Sequence, residues 1–168
     1  AGDEKDAGRS AESDRTLLVC ADPSVLSAGM AALSDAGFRI VRAEGWAEAL
    51  AVFEELRPPA VLIDGAFLEG SGPRLCALLR RMSGRIEVPI LALCDGKRDV
   101  GRALEAGASD VVERPLDWSV VCRRLLSLYR GYSARADAAR LRLVIQASAR
   151  AEAEAREQSV RQGLVDPL

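Results

Sequence analysis

Five short apolar segments alternate with segments of helical period between residues 16 and 130. Because most of them are nearly continuous apolar runs, they indicate strands buried on both faces, which is typical of a parallel sheet covered by helices. Right-handed crossovers then predict a doubly wound α/β sandwich, and its five-stranded form commonly has the strand order 2-1-3-4-5. The predicted strands are Thr16–Cys20, Phe38–Val41, Ala60–Ile63, Pro89–Cys94 and Asp110–Val112.

Helix signals fall between these strands. Asp22 and Pro23 open the first helix, with Asp22 or Ser24 expected to act as its cap, and Gly37 ends it. The other predicted helices are Trp46–Leu56, Pro73–Met82, Val100–Ala106 and Trp118–Tyr129.

Composition excludes several classes of function. A formal net charge of −2 argues against a nucleic-acid module, and no apolar stretch is long enough to cross a bilayer. The chain has no histidine, and its four cysteines form no C-x-x-C pair, so zinc binding and Cys-His or Ser-His catalysis are not expected. Each cysteine has apolar neighbours, and we predict a reducing, cytoplasmic location.

The most informative acid is Asp64. It follows the apolar run Ala60–Ile63 and precedes Gly65 and Gly72. Open α/β sheets place their functional groups at the carboxyl ends of the strands, so Asp64 is predicted to lie at the tip of the central strand, in a crevice shared with neighbouring strand ends.

Several short matches spread along the chain carry a family resemblance. They are Leu17–Val19, Asp22-Pro23, Ala36-Gly37, Glu48–Leu50, Pro59–Asp64, Gly72, Pro89–Leu93, Gly107–Asp110 and Pro115. Together these residues resemble the receiver domain of two-component response regulators, which has a flavodoxin-like fold. The resemblance implies that Asp64 stands where receivers accept a phosphoryl group from a partner histidine kinase.

Four positions depart from the receiver pattern. The acidic pair that holds Mg²⁺ in the family falls on Cys20 and Ala21, the hydroxyl position on Cys94, and the lysine position on Arg114. A thiol and a methyl group offer no oxygen ligands to a hard cation, so we predict that Mg²⁺ binding is weak or absent and that no cofactor is held. Arginine is a bidentate anion clamp that differs in shape from an ammonium group.

Two alternatives remain open at this site. Asp22 acts either as a helix cap, which we favour, or as a substitute metal ligand. Asp64 is either a carboxylate paired with Arg114, which we favour, or an active phosphoacceptor. A Cys20–Cys94 disulfide is not expected, because two inter-strand spacings separate these residues by about 10 Å.

The chain continues beyond the receiver-like part. Residues 133–162 are rich in helix formers, with two i,i+4 charge pairs, Glu152–Arg156 and Glu157–Arg161. A 4-3 spacing predicts a weak two-helix seam, with a solvated single helix as the alternative. The seam residues are Ala134, Ala138, Leu141, Ile145 and Ser148.

These patterns predict four regions. Residues 1–15 are a disordered tail or linker, 16–130 the receiver-like domain, and 131–163 a signalling or coiled-coil helix. Residues 164–168, ending in Asp-Pro-Leu, resemble the lead-in to a GGDEF diguanylate cyclase domain, which suggests a regulatory fragment of a larger protein. The fragment itself is not expected to be an enzyme.

Three functions are compatible with these features. The favoured one is a degenerate receiver that dimerises and relays a signal to an output domain; the others are a phosphorylatable receiver using Asp64 and a protein-binding adaptor without a switch. The resemblance implies a pairing face of the fourth helix, fifth strand and fifth helix, here Val100–Tyr129. The interface candidates are Arg102, Glu105, Asp117 and Arg124 on that face, with Leu141 and Ile145 in the later helix.

Overall fold

The computed structural model describes residues 15–163 and contains one five-stranded parallel sheet. Its order is β2-β1-β3-β4-β5, which confirms the predicted topology. The strands are β1 (Thr16–Cys20), β2 (Arg39–Arg42), β3 (Ala60–Asp64), β4 (Ile90–Cys94) and β5 (Asp110–Glu113).

Five helices accompany the sheet, together with one short helical turn at Phe67–Gly70. The helices are α1 (Pro23–Asp35), α2 (Trp46–Leu56), α3 (Gly72–Met82), α4 (Lys97–Glu105) and α5 (Trp118–Arg161). Within the described part of the chain, no helix combines the length and the apolar character needed to cross a membrane.

The sheet divides the core into two layers because successive side chains point to opposite faces. Leu17, Val19 and Leu62 pack with residues of α1 and α5. Leu18 and Ile63 pack on the other face with residues of α2 and α3. All five residues of β1, β3 and β4 are buried, as expected for strands covered on both sides.

The fifth helix does not end at Tyr129 as predicted. It runs without a break from Trp118 to Arg161, through Gly131. A single glycine costs a helix only about 1 kcal/mol, and the flanking residues are good helix formers. The chain divides into two units, the first ending at Ser133 and the second beginning at Ala134.

The other differences are local. Helix α4 begins at Lys97, three residues before the predicted start, and β2 runs from Arg39 to Arg42 instead of Phe38 to Val41. Of the two predicted charge pairs in the distal helix, Glu157–Arg161 is present, whereas no ion pair joins Glu152 to Arg156 in the described structure. The predicted tail at 1–15, apart from Arg15, and the GGDEF-like residues 164–168 lie outside the described residues.

Candidate functional site at the strand ends

Asp64 is the last residue of β3, and its side chain is only 1% exposed. The backbone N–H of Ala66 donates a hydrogen bond to its Oδ1 atom at 3.0 Å. A carboxylate withdrawn from water to this extent needs compensating hydrogen bonds or charge.

Arg114 supplies that compensation. Its Nη1 and Nη2 atoms donate to Oδ1 and Oδ2 of Asp64 at 3.2 and 2.7 Å, which is a two-point fork. The hydrogen bonds to Asp64 raise the pKa of the Arg114 guanidinium above its usual value. The structure therefore contains the ion pair that the sequence analysis favours.

A third charged group joins this pair. Asp95 Oδ1 lies 3.2 Å from Arg114 Nη1, and the Asp95 side chain is 53% exposed. The sequence analysis missed Asp95, although its place directly after Cys94 at the end of β4 was a usable signal. One guanidinium is thus shared by a buried and an exposed carboxylate.

The residues at the acidic-pair positions are buried in apolar surroundings. Cys20 is 0% exposed and Ala21 is 3% exposed. Burial, with a smaller contribution from Glu48, raises the pKa of the Cys20 thiol to about 12, so the thiol is neutral at ordinary pH. Neither side chain presents an oxygen atom to the crevice.

Asp22 occupies the cap position of α1, but its side chain makes no capping hydrogen bond. Instead, its backbone carbonyl accepts hydrogen bonds from the N–H groups of Val25 and Leu26 at 3.0 and 3.1 Å. Asp22 is therefore the cap residue of α1, but the expected side-chain hydrogen bond is absent and only its backbone carbonyl takes part.

The side chains of this crevice do not form the oxygen set that Mg²⁺ prefers. Asp64 is held by Arg114 and by the Ala66 N–H, and Asp22 is exposed. Among residues 15–163, no group of three or more histidine, cysteine or acidic side chains is arranged to hold a metal ion.

Cys94 ends β4 and is 1% exposed, in a cluster with Ala92 and Ala103. Burial, followed by the charges of Asp99 and Asp64, raises the pKa of its thiol to about 11. All four cysteines are free, in agreement with the prediction that Cys20 and Cys94 form no disulfide.

The loop after Asp64 approaches the strand end closely. A Cβ atom on Gly72 would lie 2.5 Å from the Asp64 carbonyl oxygen and 2.8 Å from the Cα atom of Gly65, so only glycine fits at this position. Leu68 and Glu69, inside the loop, both have left-handed backbone angles, which are unfavourable for residues with a side chain. The loop therefore fixes the backbone around Asp64 tightly.

The interface candidates lie in different places. Asp117 and Arg124 line a groove between α4, β5 and α5, whereas Arg102 lines a cavity between α3 and α4. Arg124 is paired with Asp110 at 2.8 Å, and Asp117 accepts hydrogen bonds from the backbone and side chain of Ser119. Glu105 is exposed near the end of α4, and Leu141 and Ile145 are 60% and 59% exposed in the second unit.

Comparison with known proteins places these features in a family. The model of the response regulator receiver domain matches residues 17–126. The transcriptional regulatory protein PrrA of Mycobacterium leprae is 32% identical over 124 residues, covering 74% of this chain and 53% of that protein. PrrA of Mycobacterium tuberculosis is 31% identical over 118 residues, covering 70% of this chain and 51% of that protein. The chain therefore spans about half the length of these curated relatives.

Solved structures show the same fold. The signal receiver domain of a histidine kinase from Syntrophus aciditrophicus has a TM-score of 0.61 at 24% identity, covering 69% of this chain and 90% of that one. A protein whose name combines a two-component response regulator with a GGDEF domain has a TM-score of 0.66 at 21% identity, covering 74% of this chain and 52% of that one. At these identities the likeness concerns the fold alone.

Proposed function

This chain belongs to the response regulator receiver domain family, and we propose that it is a degenerate member that serves dimerisation and signal relay without Mg²⁺-dependent phosphorylation. The observation that carries the proposal is the burial of Asp64 and its ion pair with Arg114. Its carboxylate is buried and held by the Arg114 fork, while Cys20 and Ala21 stand where the family has metal ligands.

Phosphoryl transfer to a carboxylate brings negative charge towards negative charge, and enzymes of this chemistry rely on metal ions and fixed cations to offset it. Here Arg114 is already engaged by both Asp64 and Asp95. The incoming group would have to displace a two-point hydrogen bond, with no metal to compensate. Cys94 would offer only the weak donor of a thiol in place of a hydroxyl.

Dimerisation is supported by two surfaces. In the first unit, a groove of about 420 Å³ between α4 and α5 is lined by Val100, Val111 and Val120, with the Arg124–Asp110 pair at its edge. In the second unit, Leu141 and Ile145 lie four residues apart, on one face of the helix, and are largely exposed. A second copy of this chain would cover apolar side chains at both surfaces.

The relay would act on an output domain after residue 163. The GGDEF-like residues 164–168, and the fold neighbour named as a GGDEF protein, support a diguanylate cyclase output. Two such domains must face each other to join two nucleotides, which is what a dimeric helix pair would arrange. The family suggests a histidine kinase as the partner, in the cytoplasm. The net charge of −2 argues against nucleic-acid binding by these residues.

Incubation with acetyl phosphate and Mg²⁺, followed by intact-protein mass spectrometry, tests the phosphorylation part. We expect no phosphoryl adduct on the natural chain and the same result for Asp64→Asn. The triple variant Cys20→Asp, Ala21→Asp, Arg114→Lys reverses three of the four departures from the family pattern, leaving Cys94, and is expected to gain an adduct. An adduct on the natural chain that Asp64→Asn lacks would instead establish a phosphorylatable receiver.

Light scattering tests the relay part. We expect a dimer at high micromolar concentration that weakens when the chain is shortened at Ser133. A monomer that still captures a partner protein in a pull-down would favour the adaptor function, because an adaptor needs no symmetric pairing.

A further inference from the structure

A cavity of about 330 Å³ opens beside the ion pair, between the carboxyl ends of β3 and β4 and helices α3 and α4. This volume falls within the range of roughly 300–1,000 Å³ that is typical of small-molecule sites. The cavity has no part in the relay function proposed above.

The inner wall of the cavity is apolar. Its buried lining residues are each at most 4% exposed and carry methyl or thiol groups. They are Ile63, Cys76, Ala92, Cys94 and Ala103. Burial raises the pKa of both thiols to about 11, so this wall is uncharged near neutral pH. Such a surface accommodates the apolar body of a ligand.

The mouth of the cavity is acidic. Three carboxylates, of Glu69, Asp95 and Asp99, line it against one guanidinium, of Arg102. Asp95 shares Arg114 with Asp64, whereas Asp99 has no ion pair among the described side chains although it is half-buried. The mouth thus presents excess negative charge next to an apolar wall.

We propose that this cavity binds a small amphipathic cation, with a primary ammonium group at Asp99 and Glu69 and an apolar body against Ile63, Ala92 and Ala103. The charge balance favours a cation over a zwitterion, because an added carboxylate would find one arginine against three carboxylates. Since Asp95 contacts Arg114, an occupant of the mouth would also touch the network that holds Asp64.

Isothermal titration calorimetry with three probes that share one apolar body tests the proposal. Phenethylamine carries the ammonium group, 2-phenylethanol is neutral, and 3-phenylpropanoate is anionic. We expect phenethylamine to bind at least about tenfold more tightly than either of the others, since a charge-assisted hydrogen bond is lost in both.

Isosteric variants test which carboxylates bind the ammonium group. Asp99→Asn is expected to weaken phenethylamine binding about tenfold, and Glu69→Gln serves as a second variant if Asp99→Asn folds poorly. Glu105→Gln removes the same charge from the same helix outside the cavity and is the matched control. Methyl NMR spectra should show shifts confined to Ile63, Ala92 and Ala103.

Three outcomes would overturn the proposal. These are no phenethylamine binding at millimolar concentration, equal binding of 2-phenylethanol, and equal losses in Asp99→Asn and Glu105→Gln. None of the probes carries a phosphoryl group, so the result is independent of the phosphorylation chemistry of Asp64.

Discussion

Helix α5 has a proximal half, residues 118–133, and a distal half, residues 134–161. The two halves have the same secondary structure in very different surroundings. In the first half, Val121, Cys122, Leu125 and Tyr129 are buried. From Ala134 onwards no described residue of the helix is buried, and Leu141 and Ile145 are 60% and 59% exposed. Isolated helices depend on propensity alone and are marginal in water, whereas packing stabilises most helices in proteins. The comparison teaches that packing within the described residues stabilises only the first part of α5, and in the proposed dimer a second copy would cover the distal part.

The largest expected contrast comes from one substitution made in each half. Leu125 is 0% exposed, so Leu125→Ala should lower the free energy of unfolding by about 2–5 kcal/mol through lost burial and the cavity left behind. Leu141→Ala should change the unfolding of the receiver unit by less than about 0.5 kcal/mol. Urea denaturation followed by the fluorescence of Trp46 and Trp118 measures both. Similar losses in the two variants would mean that the distal half is packed as tightly as the proximal half.

Self-association probes the distal half directly. The double variant Leu141→Ala, Ile145→Ala should weaken the dimer at least about tenfold, because burying an aliphatic side chain contributes about 1.5–3 kcal/mol. Leu143→Ala is the matched control: Leu143 is also 60% exposed, but at about 100° per residue it lies on the opposite side of the helix from Leu141. Sedimentation equilibrium gives the dissociation constants. Equal weakening by Leu143→Ala would rule out the predicted seam.

Much of the receiver fold was predictable because buried parallel strands have an unmistakable pattern. Val61–Ile63 and Ile90–Leu93 are uninterrupted apolar runs, and the predicted strand order is the common one for five-stranded doubly wound sheets. Helix ends were less predictable. The fifth helix was predicted to end at Tyr129, but it continues through Gly131, because the tendency of the neighbouring residues to form a helix outweighs the cost of one glycine.

The site was predictable in its chemistry and less so in its geometry. The pairing of Asp64 with Arg114 follows from opposite charges at strand ends that meet in one crevice, although β4 lies between β3 and β5. The place of Asp95 after β4 was a usable signal, but its contact with Arg114 and the cavity beside it depend on where loop side chains lie, which sequence periodicity does not describe. Asp22 illustrates the same limit, since its backbone and not its side chain begins α1.

Alkaline pH should act on the packed region, because all four cysteines lie before residue 134. Burial raises the pKa of Cys20 from 9.0 to about 12 and that of Cys76 and Cys94 to about 11. The folded state therefore favours the neutral thiols. This contribution to stability is fully present below pH 9, falls as the pH rises from 9, and is lost once the pH has risen through 11–12. We expect urea stability to fall by on the order of 1 kcal/mol per pH unit for each such thiol within that window. Cys20→Ala should reduce the slope, and an unchanged slope would contradict the assignment.

The smallest expected effect tests whether surface charge pairs could stabilise the distal half without a partner. Arg161 Nη2 lies 2.6 Å from Glu157 Oε1, but both side chains are more than 60% exposed. Such a pair contributes about 0.3–0.5 kcal/mol at low salt, so Glu157→Gln should lower the helical circular dichroism signal slightly, and high salt should remove the difference. Glu152→Gln is the control, since no ion pair joins Glu152 to Arg156. A loss well above 1 kcal/mol would show that charge pairs hold this helix, and the argument for a second copy would then lose its energetic basis.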